Sequence, residues 1–367
     1  MDSRTTLLRR YAVLTEGLLT GVNGKTAHGL LRFRAAEVVA VVDSMYAGRR
    51  VNEILPWLGS DAPIVASVAE ALAYAPTSLL VGVATEGGRV PPALREPILA
   101  AAEAGLEIVS GLHELLRDDP QIVAAAQRSG ARLWDVRVPP DEIPLFSGAA
   151  YDVTPYVVLA VGSDCAVGKM TAMLEVERAA LGEGARAEFR ATGQTGIMIT
   201  GSGIAVDRVI ADFVTGAVEQ LVLGARPDSE VLLVEGQGAI FHPAYAPVTF
   251  GLLYGSAPDA LVLCHRPRTA RIGGFHTLIP ELRELVRAHE DILRHVKPAR
   301  VVAVVLDTAA LDPQTAAATI AATQRETGLP TDDPVRNGGA ATWRAVAAAL
   351  TTTKKAARLA ASNGAAR

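Results

Sequence analysis

The sequence predicts an α/β protein of two parallel-sheet domains, and three observations carry that reading. Short β-branched apolar runs alternate with helix-length segments along the 367 residues, the pattern of strands joined by crossover helices. A stretch rich in proline, glycine and polar residues interrupts the alternation at 138–155. Directly after it, YVVLAVGSDCAVGKMT (156–171) reads as a buried strand, a glycine-bearing turn and a lysine at a helix start.

In chain order, the first-half strands are expected at EVVAVVD (37–43), PIVA (63–66), SLLVGVA (78–84), LEIVSG (106–111) and RLWDVR (132–137). Helical patterns such as SVAEALAYA and PPALREPILAAAEAG fall between them, as in a small doubly wound domain. Residues 1–140 form that domain and 141–155 a connection without sustained periodicity. The second domain spans 156–350, with strands at YVVLAVG, RAEFRATG, EVLLVEGQG, DALVLCHRP and ARVVAVVLD. From Thr342 one helix is expected, then an alanine-rich tail at 351–367.

Composition narrows the function. Basic and acidic residues number 35 and 39, with no basic run and 5% aromatics, so a nucleic-acid binder is not expected. Cys165 and Cys264 are too few for a disulfide scaffold and fit a reducing compartment. MDSRTTLLRRYAVL lacks an apolar core followed by a small-residue cleavage site. No apolar run approaches the roughly 20 residues that span a bilayer. A cytoplasmic protein with no membrane partner follows.

The phosphate loop comprises Gly162, Ser163, Asp164, Cys165, Ala166, Val167, Gly168, Lys169, Met170 and Thr171. A helix N-terminus offers N–H groups and a positive dipole end to an anion, and Lys169 adds a point charge. The five residues between Gly162 and Gly168 are one more than the common spacing. Met170 stands where a metal-binding hydroxyl is usual, so Thr171 would have to replace it. Asp164 belongs near the outer phosphate or a metal, or is a turn-forming residue.

EVLLVEGQGAIFHP (230–243) delivers Glu235 to the carboxyl end of a strand, where ligands of open α/β sheets gather. Glu235 there is a metal ligand with Thr171 if Mg²⁺–nucleotide binds, a base, or a capping carboxylate. Gly236 and Gln237 follow at the substrate, and His242 is a base candidate or a structural histidine. In ATGQTGIMITGSGIAVDRVIADF (191–213), Gln194 and Thr195 are candidate substrate contacts. Asp207 and Asp212 are expected near the start of the helix running through VTGAVEQLVLG. Strand alternation keeps Cys264 and His265 from one shared site, and no spaced Cys/His set, His276 included, reads as zinc-binding. Asp43-Ser44 and the turn from Ala84 to Gly88 suit a ligand-facing edge. Gly24-Lys25-Thr26, with no strand read before it, is expected to be a chance fragment.

GSDCAVGKMT with VEGQG resembles dethiobiotin synthetase and related P-loop enzymes. KTAHGLLRF, ATGQTGIMI, GIAVD, EGQG, HPAY and GSAPDALVLCH together resemble a two-domain bacterial family whose members include D-glutamate N-acetyltransferases. That resemblance covers nearly the whole chain. It implies a Rossmann-like N-terminal domain and a P-loop NTPase-like C-terminal domain. It also implies acetyl-CoA as co-substrate and an amino-acid acceptor; from the residues themselves Lys169, Glu235 and His242 are the expected catalytic group, and a homo-oligomer is expected. The dethiobiotin synthetase likeness implies the alternative, an ATP- and Mg²⁺-dependent ligase or kinase that activates a carboxylate.

Overall fold

The computed structural model describes residues 9–351 and Lys355. They fall into two compact units, the first running to Val138 and taking in Ile197–Ser202, the second holding the remainder from Pro139.

The first unit strings β1 (Tyr11–Leu14), α1 (Lys25–Phe33), β2 (Val38–Val42), α2 (Val51–Ile54), β3 (Ile64–Val65) and α3 (Val68–Ala71). It continues with β4 (Ser78–Val81), α4 (Pro92–Glu103), β5 (Glu107–Ser110), α5 (Pro120–Ser129) and β6 (Leu133–Asp135). The strands pair in parallel in the order β3-β2-β1-β4-β5-β6, the doubly wound arrangement of a Rossmann-like sheet. Helices cover it through a core that includes Leu14, Val42, Val81, Ile98 and Ile108. The five expected strands are present, and β1 is an addition. Four buried residues directly after Arg9-Arg10 carry no periodicity, so only the pairing with β2 and β4 reveals that strand.

The second unit holds β7 (Tyr156–Gly162), α6 (Lys169–Gly182), β8 (Ala187–Arg190) and α8 (Val214–Leu223), and α7 (Gln194–Thr200) begins in it, its residues from Ile197 belonging to the first unit. Then come β9 (Val231–Val234), α9 (Ala246–Gly255), β10 (Ala260–His265), α10 (Leu282–Leu293) and β11 (Arg300–Leu306). The unit ends with α11 (Pro313–Thr327), β12 (Thr331–Asp332), α12 (Pro334–Asn337) and α13 (Ala340–Thr351). Its parallel sheet has the order β12-β11-β10-β7-β9-β8. β7 is buried at all seven positions, as a central strand covered on both faces must be.

Three local expectations change. Asp207 lies in the 3₁₀ turn Val206–Arg208, short of the first turn of α8, while Asp212 lies in the turn Ala211–Phe213 directly before that helix. The glycine-rich stretch after β8 contains the helix α7. β12 was not read from sequence, because Thr331-Asp332 is polar and held only by pairing with Val304 and Val305. Residues 141–155 cluster with the second unit: the Glu219 carboxylate of α8 accepts the Ser147 and Ala150 N–H groups at 2.6 and 3.1 Å. Apart from Thr351 and Lys355, the expected tail lies outside the described residues. Among those described, no helix is long and apolar enough to cross a membrane.

Candidate functional site

β7 is the middle of the second sheet, between β9 and β10, so its carboxyl end opens where the strand order reverses. The loop from Ser163 to Gly168 turns back over this edge and α6 starts at Lys169. Gly168 has φ +86°, a left-handed conformation that lets the chain swing into the helix without a Cβ clash.

Lys169 is buried, with Nζ donating to the Asp164 carbonyl at 2.7 Å and to the Gly238 carbonyl at 2.9 Å. The ammonium therefore ties the loop to the turn after β9. Burial lowers its pKa, opposed by Cys165, Cys264, Asp164 and Glu235. Close approach of the turn after β9 to β7 needs Gly236: a Cβ there would stand 1.8 Å from the Ala160 carbonyl oxygen.

Glu235, at the end of β9, is buried and committed. Its Oε2 accepts the Thr192 and Gly193 N–H groups at 2.8 and 2.9 Å, closing the turn into α7. Burial raises its pKa against those two donors. Gln237 reinforces the same turn, its amide nitrogen donating to the Thr192 carbonyl at 2.6 Å. Gln194 is half-buried and Thr195 buried at the start of α7.

His242 is 3% exposed. The backbone N–H groups of Ala244 and Tyr245 donate to its Nδ1 at 3.1 and 3.2 Å. A neutral ring accepting at Nδ1 carries its proton on Nε2. That nitrogen faces the Asp164 carboxylate, Nε2 to Oδ1 being 3.8 Å. The ring packs against Tyr245 and Phe275, with centroids at 4.7 and 5.2 Å. Burial lowers its pKa, with Asp164 pulling the other way. Proton abstraction needs a lone pair on the ligand side, and Nε2–H offers none. In this tautomer the ring presents a donor, Nε2–H, towards the loop.

The donor atoms of Asp164, Cys165 and His242 lie within 4.8 Å of one another, so we tested the group as a metal centre. It fits poorly, because the tautomer fixed at Nδ1 leaves no lone pair on Nε2. Thr171 is half-buried on the first turn of α6, and both amides that Glu235 accepts fall on Oε2.

The chain matches, over residues 144–342, a family described as a domain of unknown function (DUF1611_C), P-loop domain. Residues 44–139 match its companion, DUF1611_N, a Rossmann-like domain. The chain belongs to the DUF1611 family.

It is 36% identical over 318 residues to a D-glutamate N-acetyltransferase of Tritonibacter scottomollicae, covering 86% of this chain and 95% of the relative. A D-glutamate N-acetyltransferase of a Pseudoalteromonas species is 36% identical over 277 residues, 74% of this chain and 82% of that one. Among solved structures, a DUF1611 family protein from Anabaena variabilis superimposes with a TM-score of 0.87 at 41% identity. It covers 92% of this chain and 99% of that structure.

Within this DUF1611 fold, several contacts at the loop, and the residue Arg266, were not legible in the sequence. Ser163 Oγ lies 2.9 Å from His265 Nδ1, and burial pushes that imidazole down to about 4. Cys264, its neighbour on β10, points into the core, where burial pushes its thiol up to about 12; the alternation argument anticipated that separation. Arg266 bridges Asp307 at 2.7 Å and the Ala166 carbonyl at 2.5 Å, pinning the loop from outside. Asp164 Oδ2 accepts the Gly273 N–H at 2.9 Å. A basic residue directly after a strand beside the phosphate loop was the available signal for Arg266.

In the N-terminal unit, Asp43 accepts Thr15 Oγ1 and the Met45 N–H at 2.8 and 3.1 Å, a structural role. His276 is exposed. The statement that no strand precedes Gly24-Lys25-Thr26 is corrected by β1, with α1 beginning at Lys25.

Proposed function

We propose that this chain is an N-acetyltransferase that carries an acetyl group from acetyl-CoA to the amine of a D-glutamate-like amino acid. The observation that carries this reading is 36% identity, across 86% of the chain, to a relative of that name.

The loop at 162–171 supports CoA as the phosphate-bearing ligand. A helix N-terminus with loop amides reads phosphate regardless of what the phosphate is attached to. Phosphoryl transfer makes a further demand, a hydroxyl and a carboxylate for Mg²⁺. Here Met170 follows the lysine, and Glu235 closes the turn into α7. CoA makes no such demand. Its thioester sits a pantetheine arm away from its diphosphate, so the cradle serves as an anchor and not as the reacting centre. The acceptor amine must lose a proton before attacking the thioester carbonyl, and the tetrahedral oxyanion then collapses with release of CoA thiolate.

Purified protein given acetyl-CoA and D-glutamate, without nucleotide, should release free CoA and form the N-acetyl amino acid by mass spectrometry. Nucleotide cleavage dependent on an amino acid, with no CoA consumed, would overturn the proposal in favour of a ligase.

A further inference from the structure

We infer that His242 is a neutral hydrogen-bond donor built into the anion cradle, holding a phosphate oxygen of the ligand through Nε2–H. The inference rests on the reading above that the loop takes a phosphate-bearing ligand. It adds a binding residue contributed by the turn after β9, away from the loop itself.

Three observations meet at this side chain. The Ala244 and Tyr245 N–H groups both donate to Nδ1, so the ring cannot carry its proton there while neutral. The proton is left on Nε2, and the ring is held in place by Tyr245 and Phe275. Nε2 points at the loop, yet its nearest carboxylate oxygen, on Asp164, is 3.8 Å away, beyond hydrogen-bond reach. A 3%-exposed ring thus directs a donor into the loop region without a carboxylate at bonding distance.

The chemistry of the recipient follows from the surroundings. The Lys169 ammonium, the amides at the start of α6 and an N–H from His242 together favour an anionic oxygen. The Asp164 carboxylate is not at bonding distance, its Oδ1 standing 3.8 Å from Nε2 while it accepts the Cys165 and Gly273 N–H groups at 2.6 and 2.9 Å. A phosphate oxygen beside Nε2 and clear of the Asp164 carboxylate would complete the set. Because the donor is the neutral ring, its contribution is independent of pH wherever the imidazole stays unprotonated. This separates a donor from a base, which would impose an ionisation on turnover.

Two substitutions separate the ring's two edges. His242→Asn keeps an acceptor near Nδ1 for the Ala244 and Tyr245 amides and removes the far donor. His242→Gln places an amide N–H near the Nε2 position. Binding of inorganic pyrophosphate and of CoA is measured by calorimetry from pH 7 to 8.5, with steady-state kinetics in parallel and a thermal melt as the folding control. Wild-type affinity should be flat with pH. The Asn variant should bind about tenfold more weakly, the size of one lost hydrogen bond to a charged group. Gln should recover most of that loss, and kcat at saturating acetyl-CoA should change less than about threefold in both. Unchanged affinity in a folded Asn variant would overturn the inference alone. So would loss of kcat with binding intact and a vanished acidic limb in the pH profile, the signature of a base. A folded wild type that binds neither pyrophosphate nor CoA would overturn the cradle reading and this inference together.

Discussion

Lys169 shows how one side chain takes its role from what it touches. Its ammonium bridges the carbonyls of Asp164 and Gly238, and a ligand phosphate would compete for the same charge. If the cradle anchors CoA at a distance from the thioester, Lys169→Ala removes uniform binding, which raises KM and spares kcat. The expected result is a KM for acetyl-CoA raised about tenfold or more, with kcat within about fivefold, measured by CoA release. Under phosphoryl transfer the same change would abolish kcat, since the lysine would then touch the transferring group. The split between the two constants therefore tests what the loop is for. Glu235 makes the complementary point: a carboxylate at a strand end was expected to hold metal or move a proton, and it instead receives two backbone amides.

At the scale of elements, α10 shows how an amphipathic helix builds in a pH dependence. Leu282, Leu285, His289 and Leu293 form its buried stripe. His289 lies in that stripe fully buried, with Nδ1 2.7 Å from the Leu285 carbonyl and no partner for Nε2. Burial pushes it from an ordinary 6.5 down to about 4. Above pH 6.5 the ring is neutral whether the chain is folded or not. Between 6.5 and 4 the unfolded chain binds a proton that the folded one refuses, so stability falls as pH falls and levels off below about 4. The full loss is on the order of 3 kcal/mol. In His289→Leu, the drop in the denaturant midpoint between pH 7.5 and 5 should shrink. An unchanged drop would show that other groups carry the dependence.

At the scale of the whole molecule, ligand choice reads out as stability. A ligand that binds only the folded state at a hundred times its dissociation constant adds about 2.7 kcal/mol, which for domains of this size is a rise of several degrees. CoA should raise the melting temperature more than ATP does, and Mg²⁺ should add nothing to the ATP effect. A Mg²⁺-dependent ATP stabilisation exceeding that of CoA would refute the anchor role. The two parallel sheets that organise the molecule were legible in the order of strand and helix patterns, because the apolar runs of central strands such as β4 and β7 are local and buried at every position. β1 and β12 were not, since four and two residues give no periodicity and take their strand character from the neighbours they pair with.

The α/β class, the phosphate loop from Gly162 to Thr171 and the strand end that carries Glu235 follow from the order of residues alone. Those features are contiguous, and their physics lies in short-range patterns of apolar spacing, glycine and charge. What the site's side chains are engaged in depends on the folded chain. Glu235 reaches an amide 43 residues earlier in the chain, and Ser163 meets a histidine 102 residues later. His242 has its tautomer set by the two amides that follow it once the chain turns into α9. A residue's type limits which hydrogen bonds it can make. Which of them it does make depends on partners that folding brings together.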